Sequence, residues 1–397
     1  MEPTCSAQPG GVSRRRVLGT AGAAAALLAL NDARLSFASG PSPGESNGLL
    51  ISVFLRGGAD GLSLVPPVGD PAYAKLRPNI AIPASAALPL DRTFGLHPSM
   101  KSLMPFYRSG NLAVIHAVGD PKGTRSHFEM EDAMERAQTV GEATKAGWIA
   151  DWLEHRKGGP GKFPSVAIGS REPTSLQGGA PSVALNSIDA FSLLGSEKLR
   201  AKTARALSRM YSHSRPDLAA PAQLALEISQ RLAPYQGKPY VPSHGAVYPQ
   251  NQLGFALSQL AVLLRANVGL TAAALDFGGW DTHTTMGRLN GTMADQAAAF
   301  ATSLAAFAQD LGPLINKITL LTMTEFGRTA AENGSGGTDH GVASSVFILG
   351  KTPSEYPGGR VHGRWPGLVA AQKDPSVDLA VTTDYRKVLY AASRAVR

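Results

Sequence analysis

Short, uninterrupted apolar runs spaced by helical stretches constrain this chain more than any other feature. Leu49-Leu50-Ile51-Ser52-Val53-Phe54-Leu55 has one polar residue in seven and stops at Arg56-Gly57-Gly58-Ala59-Asp60-Gly61. A strand with one wet face would alternate apolar and polar residues, whereas a continuous run is buried on both faces. The same signature recurs at 112–118, 165–168, 271–277, 318–324 and 345–350. Between these runs, helical patterns begin near His127 and cover 253–268 and 292–315. Strands alternating with helices predict an α/β three-layer sandwich, a mostly parallel central sheet with helices on both faces. In such sheets, ligands bind beyond the carboxyl ends of the strands. Chemistry is therefore to be sought where the apolar runs stop.

The N-terminus reads as an export signal. Arg14-Arg15-Arg16-Val17-Leu18 precedes an apolar stretch ending at Leu30, too short to span a bilayer comfortably. Ser36-Phe37-Ala38 has small residues at the two positions a signal peptidase reads, so cleavage is expected after Ala38. Residues 1–38 read as a twin-arginine signal peptide, with the twin-arginine translocase as the partner in export. The expected location is periplasmic or secreted. Residues 39–48, rich in Ser, Gly and Pro, read as a linker. Residues 49–397 are expected to form a single α/β domain, with 190–250 as an insertion or helical cap. After the signal, no stretch looks long and apolar enough to span a membrane, so the mature protein is expected to have no stable membrane span.

Removing residues 1–38 from 397 leaves 359, enough for a large core. The single cysteine, Cys5, lies in the signal, which excludes a disulfide framework, a thiolate metal site and a cysteine nucleophile from the mature chain. Of the formal charge of +8, the signal accounts for two. The rest is spread out, and no nucleic-acid motif or nucleic-acid partner is expected.

Several polar groups stand at the strand exits. Asp60 follows the first run. Asp281 and His283 follow 271–277 in Gly278-Gly279-Trp280-Asp281-Thr282-His283. Alternate side chains of an extended segment point the same way, so these two could grip one cation, with oxygen and nitrogen ligands suited to zinc or manganese. Glu325 follows 318–324. A Gly-rich loop then leads to Asp339 and His340, which can fold back beside it. Arg328 reads either as a local ion-pair partner of Glu325 or, with Arg56 and Arg125, as a group to steady a departing anion. Gly123-Thr124-Arg125-Ser126-His127 joins a strand to a helix. Either Thr124 or Ser126 could be a hydroxyl nucleophile there. Ser126-x-x-Glu129 also reads as a capping box, and His127 as a ligand, an acid/base or a packed residue. His97 has a weaker case, and the remaining histidines read as surface or structural.

Taken together, these positions resemble the alkaline phosphatase–sulfatase–phosphoglycerate mutase superfamily. More closely, the chain resembles the bacterial family called domain of unknown function 1501. The shared stretches include Val53 to Ser63, Arg125-Ser126-His127-Phe128, Gly279 to His283, Thr324 to Thr329, Thr338-Asp339-His340-Gly341 and Thr383-Asp384-Tyr385-Arg386. The resemblance implies an alkaline phosphatase-like fold and one or two divalent ions (zinc, manganese or calcium). Asp60, Asp281, His283, Glu325, Asp339 and His340 are the implied ligands. Ser126 or Thr124 would attack a phosphate or sulfate ester, small or polymeric, with His127, Arg125 and Arg328 assisting. A non-catalytic envelope protein binding a glycan or a partner protein is the alternative. Two departures from the superfamily pattern bear on the ion count. Glu325-Phe326 stands where Asp-His is usual, and Asp281-x-His283 is tighter than the usual spacing.

Overall fold

The computed structural model describes residues 48–143, 145–156, 163–190, 197–212, 216–374 and 377–396. The expected leader, and all of the expected linker except Gly48, lie outside the described residues. Strand β1 (Leu49–Leu55) leads into α1 (Gly61–Leu64) and α2 (Pro71–Leu76). A small pair, β2 (Leu88–Pro89) and β3 (Gly95–Leu96), precedes α3 (Met104–Arg108) and β4 (Leu112–Gly119). Helices α4 (His127–Glu135) and α5 (Trp148–Glu154) come before β5 (Phe163–Ile168) and β6 (Ser182–Leu185). Next are α6 (Glu197–Ser212), α7 (Pro216–Leu232), α8 (Gln252–Arg265) and β7 (Leu270–Phe277). Helix α9 (Thr292–Leu311) feeds β8 (Ile318–Met323), followed by β9 (Ser344–Gly350) and β10 (Val361–His362). Helix α10 (Val369–Lys373), β11 (Thr383–Asp384) and α11 (Tyr385–Ala395) complete the order.

The main sheet runs β10-β4-β9-β8-β1-β7-β5-β6, with β11 also paired to β4. Strands β8, β1, β7, β5 and β6 are parallel neighbours, and only β9 runs against both of its partners. Every residue of β1, β4, β8 and β9 is buried, as continuous apolar runs require. Alternation along β1 separates two cores. Leu49, Ile51, Val53 and Leu55 join Leu253, Leu257, Phe300 and Phe307 from α8 and α9. Leu50 and Phe54 join Met130 and Met134 of α4, Trp148 and Trp152 of α5, and Val388 and Leu389 of α11. One strand with apolar side chains on both faces thus holds helices on both sides, and the three-layer α/β sandwich with a mostly parallel sheet follows.

The segment read as an insertion or helical cap holds two helices, α6 and α7, in contact through Leu207 and Leu226. One expectation needs correction in detail. The window Thr292–Lys317 is long and apolar enough to cross a membrane by length and composition, contrary to the reading above. Phe300, Leu304 and Phe307 are fully buried in the core, so the same apolar residues serve packing.

Candidate metal centre

Four segments build the site, the exits of β1, β7 and β8 and the β4–α4 connection that carries Arg125 and His127. After β1, the turn Arg56-Gly57-Gly58 doubles back under the loop that follows β7. A Cβ on Gly57 would come within 2.6 Å of the Asp281 nitrogen, and one on Gly58 within 2.6 Å of the Phe326 ring. Both positions have φ above +60°, so only glycine serves here without strain. Past β7, Trp280 is fully buried, edge-on to Phe277 and Phe300, and fixes the chain where Asp281 turns outward. After β8, residues 327–329 pair with 339–341: Thr329 N–H donates to the Asp339 carbonyl (2.9 Å) and Gly341 N–H to Gly327 (2.8 Å). Arg328 and His340 form an isolated antiparallel bridge there. The fold-back of Asp339-His340 toward Glu325 is therefore built from backbone hydrogen bonds.

At this junction three imidazoles meet tip to tip. His127 Nε2 lies 3.1 Å from His340 Nε2, which lies 3.0 Å from His283 Nε2. Asp281 Oδ1 is 3.1, 3.3 and 3.7 Å from the Nε2 atoms of His283, His340 and His127. The opposite nitrogen of each ring is held by an acceptor. His127 Nδ1 donates to Glu325 Oε1 (2.6 Å), His283 Nδ1 to Asp339 Oδ1 (3.0 Å), and His340 Nδ1 to the Arg125 carbonyl (2.9 Å). In a neutral imidazole the nitrogen opposite the N–H carries a lone pair. Three lone pairs and a carboxylate oxygen therefore face one another at the spacing of ligands around a zinc-sized ion. A shell radius of about 2.0–2.2 Å gives tetrahedral edges near that range. Holding the outer nitrogen with a carboxylate or carbonyl is how metal-binding histidines are oriented. His127, Asp281 and His340 form a group able to hold a metal ion, their ligand atoms all within 4.8 Å of one another. A second such group joins His127 to Glu131 and Glu325.

Arg328 backs this cluster. It is buried, and its five N–H groups go to the carbonyls of Gly57, Gly58, Trp280 and Thr338, to Asp281 Oδ1, and, at 3.4 Å, to His283 Nε2. Burial pushes the Asp281 carboxyl up, but the Arg328 hydrogen bond and charge hold it below the usual carboxylate range. Hydrogen bonds from His283 and Asn333 hold the Asp339 carboxyl low as well.

The structure brings Asp281, His283 and His340 together as expected and adds His127 to them. It puts Glu325 and Asp339 behind His127 and His283 as hydrogen-bond acceptors rather than beside them. Asp60 is not at this junction's ligand set. Its Oδ1 caps α1 through the N–H groups of Leu62 and Ser63, and its Oδ2 accepts from Ser63 Oγ and, at 2.8 Å, from Arg77. Both oxygens are spent, which leaves no lone pair for an ion. Arg328 has no donor left for a departing anion. Arg125 pairs with Asp378 (2.5 Å) and serves the cluster through its carbonyl. Arg56 is held by Glu131, Glu135 and Asp276. Ser126 occupies the cap position of α4, but its side chain makes no cap hydrogen bond. Thr124 Oγ1 instead donates to Glu129 (2.8 Å), so the box closes from two residues upstream. His97 is buried, its ring bonded to the Arg288 carbonyl and the Ser99 N–H.

The chain matches, over residues 48–391, the family described as Protein of unknown function (DUF1501). It belongs to that family. No curated protein matches it in sequence. Solved structures similar to this DUF1501 protein include the C-terminal periplasmic domain of EcEptC from Escherichia coli, in complex with Zn. The two share 9% identity at a TM-score of 0.38, with 92% of this chain and 85% of that one covered. The alkaline phosphatase of the Antarctic bacterium TAB5 is similar at 11% identity and a TM-score of 0.32, covering 88% and 98%. The PsFucS1 sulfatase from Pseudoalteromonas sp. follows at 10% and 0.36, covering 97% and 72%.

Sequence reasoning passed over two supports of the DUF1501 cluster. Asn333 donates to the His283 carbonyl (2.9 Å) and to Asp339 Oδ1 (3.1 Å), and accepts from the N–H groups of Ser335 and Gly337. Its place in Asn333-Gly334-Ser335-Gly336-Gly337 marks it as the organiser of a tight turn, a signal present in the sequence. Phe326, next in sequence to Glu325, packs its ring 4.7 Å from those of both His127 and His340. It closes the cluster from below.

Proposed function

We propose that this DUF1501 protein is an exported hydrolase of phosphate or sulfate esters, built on an alkaline phosphatase-like sandwich and working with one divalent ion. The observation that carries the reading is the convergence of three Nε2 lone pairs with every Nδ1 hydrogen already committed. Two such nitrogens at 3.0–3.1 Å repel each other unless a cation lies between them. Charge supports one ion rather than two. Asp281, Glu325 and Asp339 bring three negative charges against one from Arg328, an excess of two. A nitrogen-rich set with one carboxylate suits zinc or manganese and does not suit calcium, which takes oxygen ligands.

When bound, the ion would supply Lewis-acid polarisation of the ester oxygen. The chain's own groups set the rest. Glu325, Asp339 and the Arg125 carbonyl keep the imidazole tips turned inward. Arg328 fixes Asp281. Ser126, adjacent to His127 and free of a cap bond, is the attacking hydroxyl, while Thr124 is tied to Glu129. Export through the twin-arginine translocase to the periplasm or beyond belongs to the same proposal and rests on Arg14 to Leu30 and Ser36-Phe37-Ala38.

One observation favours a second reading. If Asp281 joins the three histidines, the shell has four protein ligands, and closed shells of four are the mark of structural sites. The protein would then be a non-catalytic envelope protein binding a glycan or a partner protein. Zinc-loaded protein, with metal measured per chain, should hydrolyse members of a panel of phosphate and sulfate monoesters and lose turnover on chelation. Full loading with no turnover on any ester selects the second reading, and no bound metal defeats both.

A further inference from the structure

Beside the cluster, the carboxyl ends of β1, β7 and β5 open into a cleft. A cavity of about 280 Å³ lies over the ends of β5 and β7, and one of about 520 Å³ lies against α4. The two share Arg56, Ser170, Arg171 and Pro173, so they form one continuous groove in the size range of ligand sites. Its wall touches the cluster, because Glu131 lines the larger cavity and lies within 4.8 Å of His127 and Glu325.

The groove is built unlike an anion site. Five carboxylates line it, those of Glu131, Asp132, Glu135, Glu172 and Asp276, against two guanidiniums. Arg56 is already shared by three of them, at 2.7–2.9 Å. Asp132 is paired with Arg136 from outside the groove, which leaves four carboxylates against Arg56 and Arg171, so a second anionic group placed here would still meet net negative charge. Two side chains are left over. Phe128, next in sequence to His127, lines the groove with 91% of its surface exposed. Arg171 is exposed on the facing wall and makes no hydrogen bond or ion pair among the described residues. An aromatic face, a free donor fork and a rim of Ser170, Thr174 and Asp132 suit one kind of group. That group is an uncharged ring with apolar faces and hydroxyls around its edge.

We propose that this groove binds a neutral sugar unit, the non-reacting part of an ester whose anionic group lies at the histidine cluster. Phe128 is the stacking platform, and Arg171 donates to ring hydroxyls. The inference rests on the hydrolase reading only for what occupies the cluster.

The test compares N-acetylglucosamine 6-phosphate and 6-sulfate with ethyl phosphate and ethyl sulfate on zinc-loaded protein. The sugar esters should have the higher kcat/KM. Phe128→Ala and Arg171→Ala should each raise KM for the sugar esters, by roughly 3- to 10-fold for Phe128→Ala, with zinc affinity unchanged. Equal kcat/KM for sugar and ethyl esters, or no change in their ratio in Phe128→Ala, would overturn the sugar site and leave the hydrolase standing. If no ester turns over at full zinc loading, the hydrolase reading fails. Saturation-transfer NMR with chitotriose then decides the groove. A signal in the wild type that is lost in Phe128→Ala supports it, and no signal in the wild type ends it.

Discussion

Asp60 and Asp281 stand beyond the ends of the adjacent strands β1 and β7, and each is bonded to a buried arginine. Their surroundings differ in burial, Asp60 enclosed and Asp281 half exposed, and in the balance of donors and acceptors. Around Asp60 every neighbour donates: two backbone N–H groups, the Ser63 hydroxyl and Arg77. Arg77 in turn spends its other donors on the Ser63 hydroxyl and the carbonyls of Thr329 and Ala330. The set is complete as a protein. Around Asp281, Arg328 donates, and the Nε2 atoms of three histidines stand 3.1–3.7 Å from the same oxygen. On the proposal above, a cation completes that set. The same residue type at equivalent places thus serves stability in one case and, on the proposal above, ion binding in the other.

The largest effect should come from breaking the complete set. Arg77→Ala leaves a buried, uncompensated carboxylate and should cost about 3–5 kcal/mol of stability. Denaturant unfolding measures this. The fraction that remains folded should bind zinc with wild-type affinity. Loss of zinc affinity in that folded fraction would show that the two sets are coupled and break the contrast.

The next effect is one of pH. His116 sits beside Asp60 in the complete region, its ring stacked on Phe94 and bonded to the Val65 carbonyl and the Ala117 N–H. Burial pushes its pKa down to about 4. In the unfolded chain a histidine takes its proton near 6.5. Between those values the unfolded state binds more protons, so stability is fully present above about 6.5 and falls as pH drops toward 4, by roughly 3 kcal/mol in all. Asp281 acts in a lower window. Its depressed pKa contributes stability above the ordinary carboxylate value that is lost only as pH falls through the depressed one. Metal-free protein unfolded in denaturant at a series of pH values should lose stability first in the upper window. His116→Asn, which keeps an acceptor for Ala117, should flatten that slope. An unchanged slope in the variant would assign the loss to other groups.

A smaller change sharpens the incomplete set. Asp339→Asn removes the charge that orients His283 while preserving most of the shape. Removing the acceptor that orients a metal-binding histidine costs about 10–100-fold in metal affinity. Competition titration with a zinc chelator reads the difference. The matching Asp60→Asn should leave zinc affinity where it is, and a comparable loss there would place Asp60 in the ion's environment after all.

Much of the fold was legible because burial on both sheet faces leaves an unmistakable apolar run, as at Leu49–Leu55 and Ile318–Met323. Strand β6, four residues after Pro181, was too short to carry a period. The bounds of helices α6 and α7 were not legible in the Ser-, Ala- and Arg-rich stretch read as an insertion or helical cap. At the site, the strand-exit rule found Asp281, His283 and His340. It could not separate them from Asp60, because which oxygen meets a donor is decided by Arg77, seventeen residues away. The local sign was nonetheless present: Asp60-Gly61-Leu62-Ser63 has the pattern of a helix cap. The division between the groups that meet at Asp281 and the carboxylates behind them was not legible. It depends on which ring nitrogen each loop presents, and His127 and Asn333 gain their places only when the 333–340 turn closes.

The smallest expected change in stability is at Ser126, and it bears most directly on chemistry. A cap residue whose side chain bonds the helix N-terminus typically loses about 0.5–2 kcal/mol on replacement by alanine. Ser126 has the cap's extended backbone, φ −97° and ψ 120°, yet makes no such bond. Thr124 takes up Glu129 instead, and the Ser126 N–H donates weakly to Thr124 Oγ1 at 3.3 Å. Ser126→Ala should therefore shift stability by less than about 0.5 kcal/mol, while Thr124→Ala should cost more because it frees Glu129. On the hydrolase reading the order reverses for turnover. A hydroxyl nucleophile is irreplaceable, so Ser126→Ala should abolish ester hydrolysis with zinc content unchanged, and Thr124→Ala should retain most of it. Activity that survives in Ser126→Ala and vanishes in Thr124→Ala would transfer the nucleophile's role to Thr124. Its bond to Glu129 would then be the means of activating it rather than a cap.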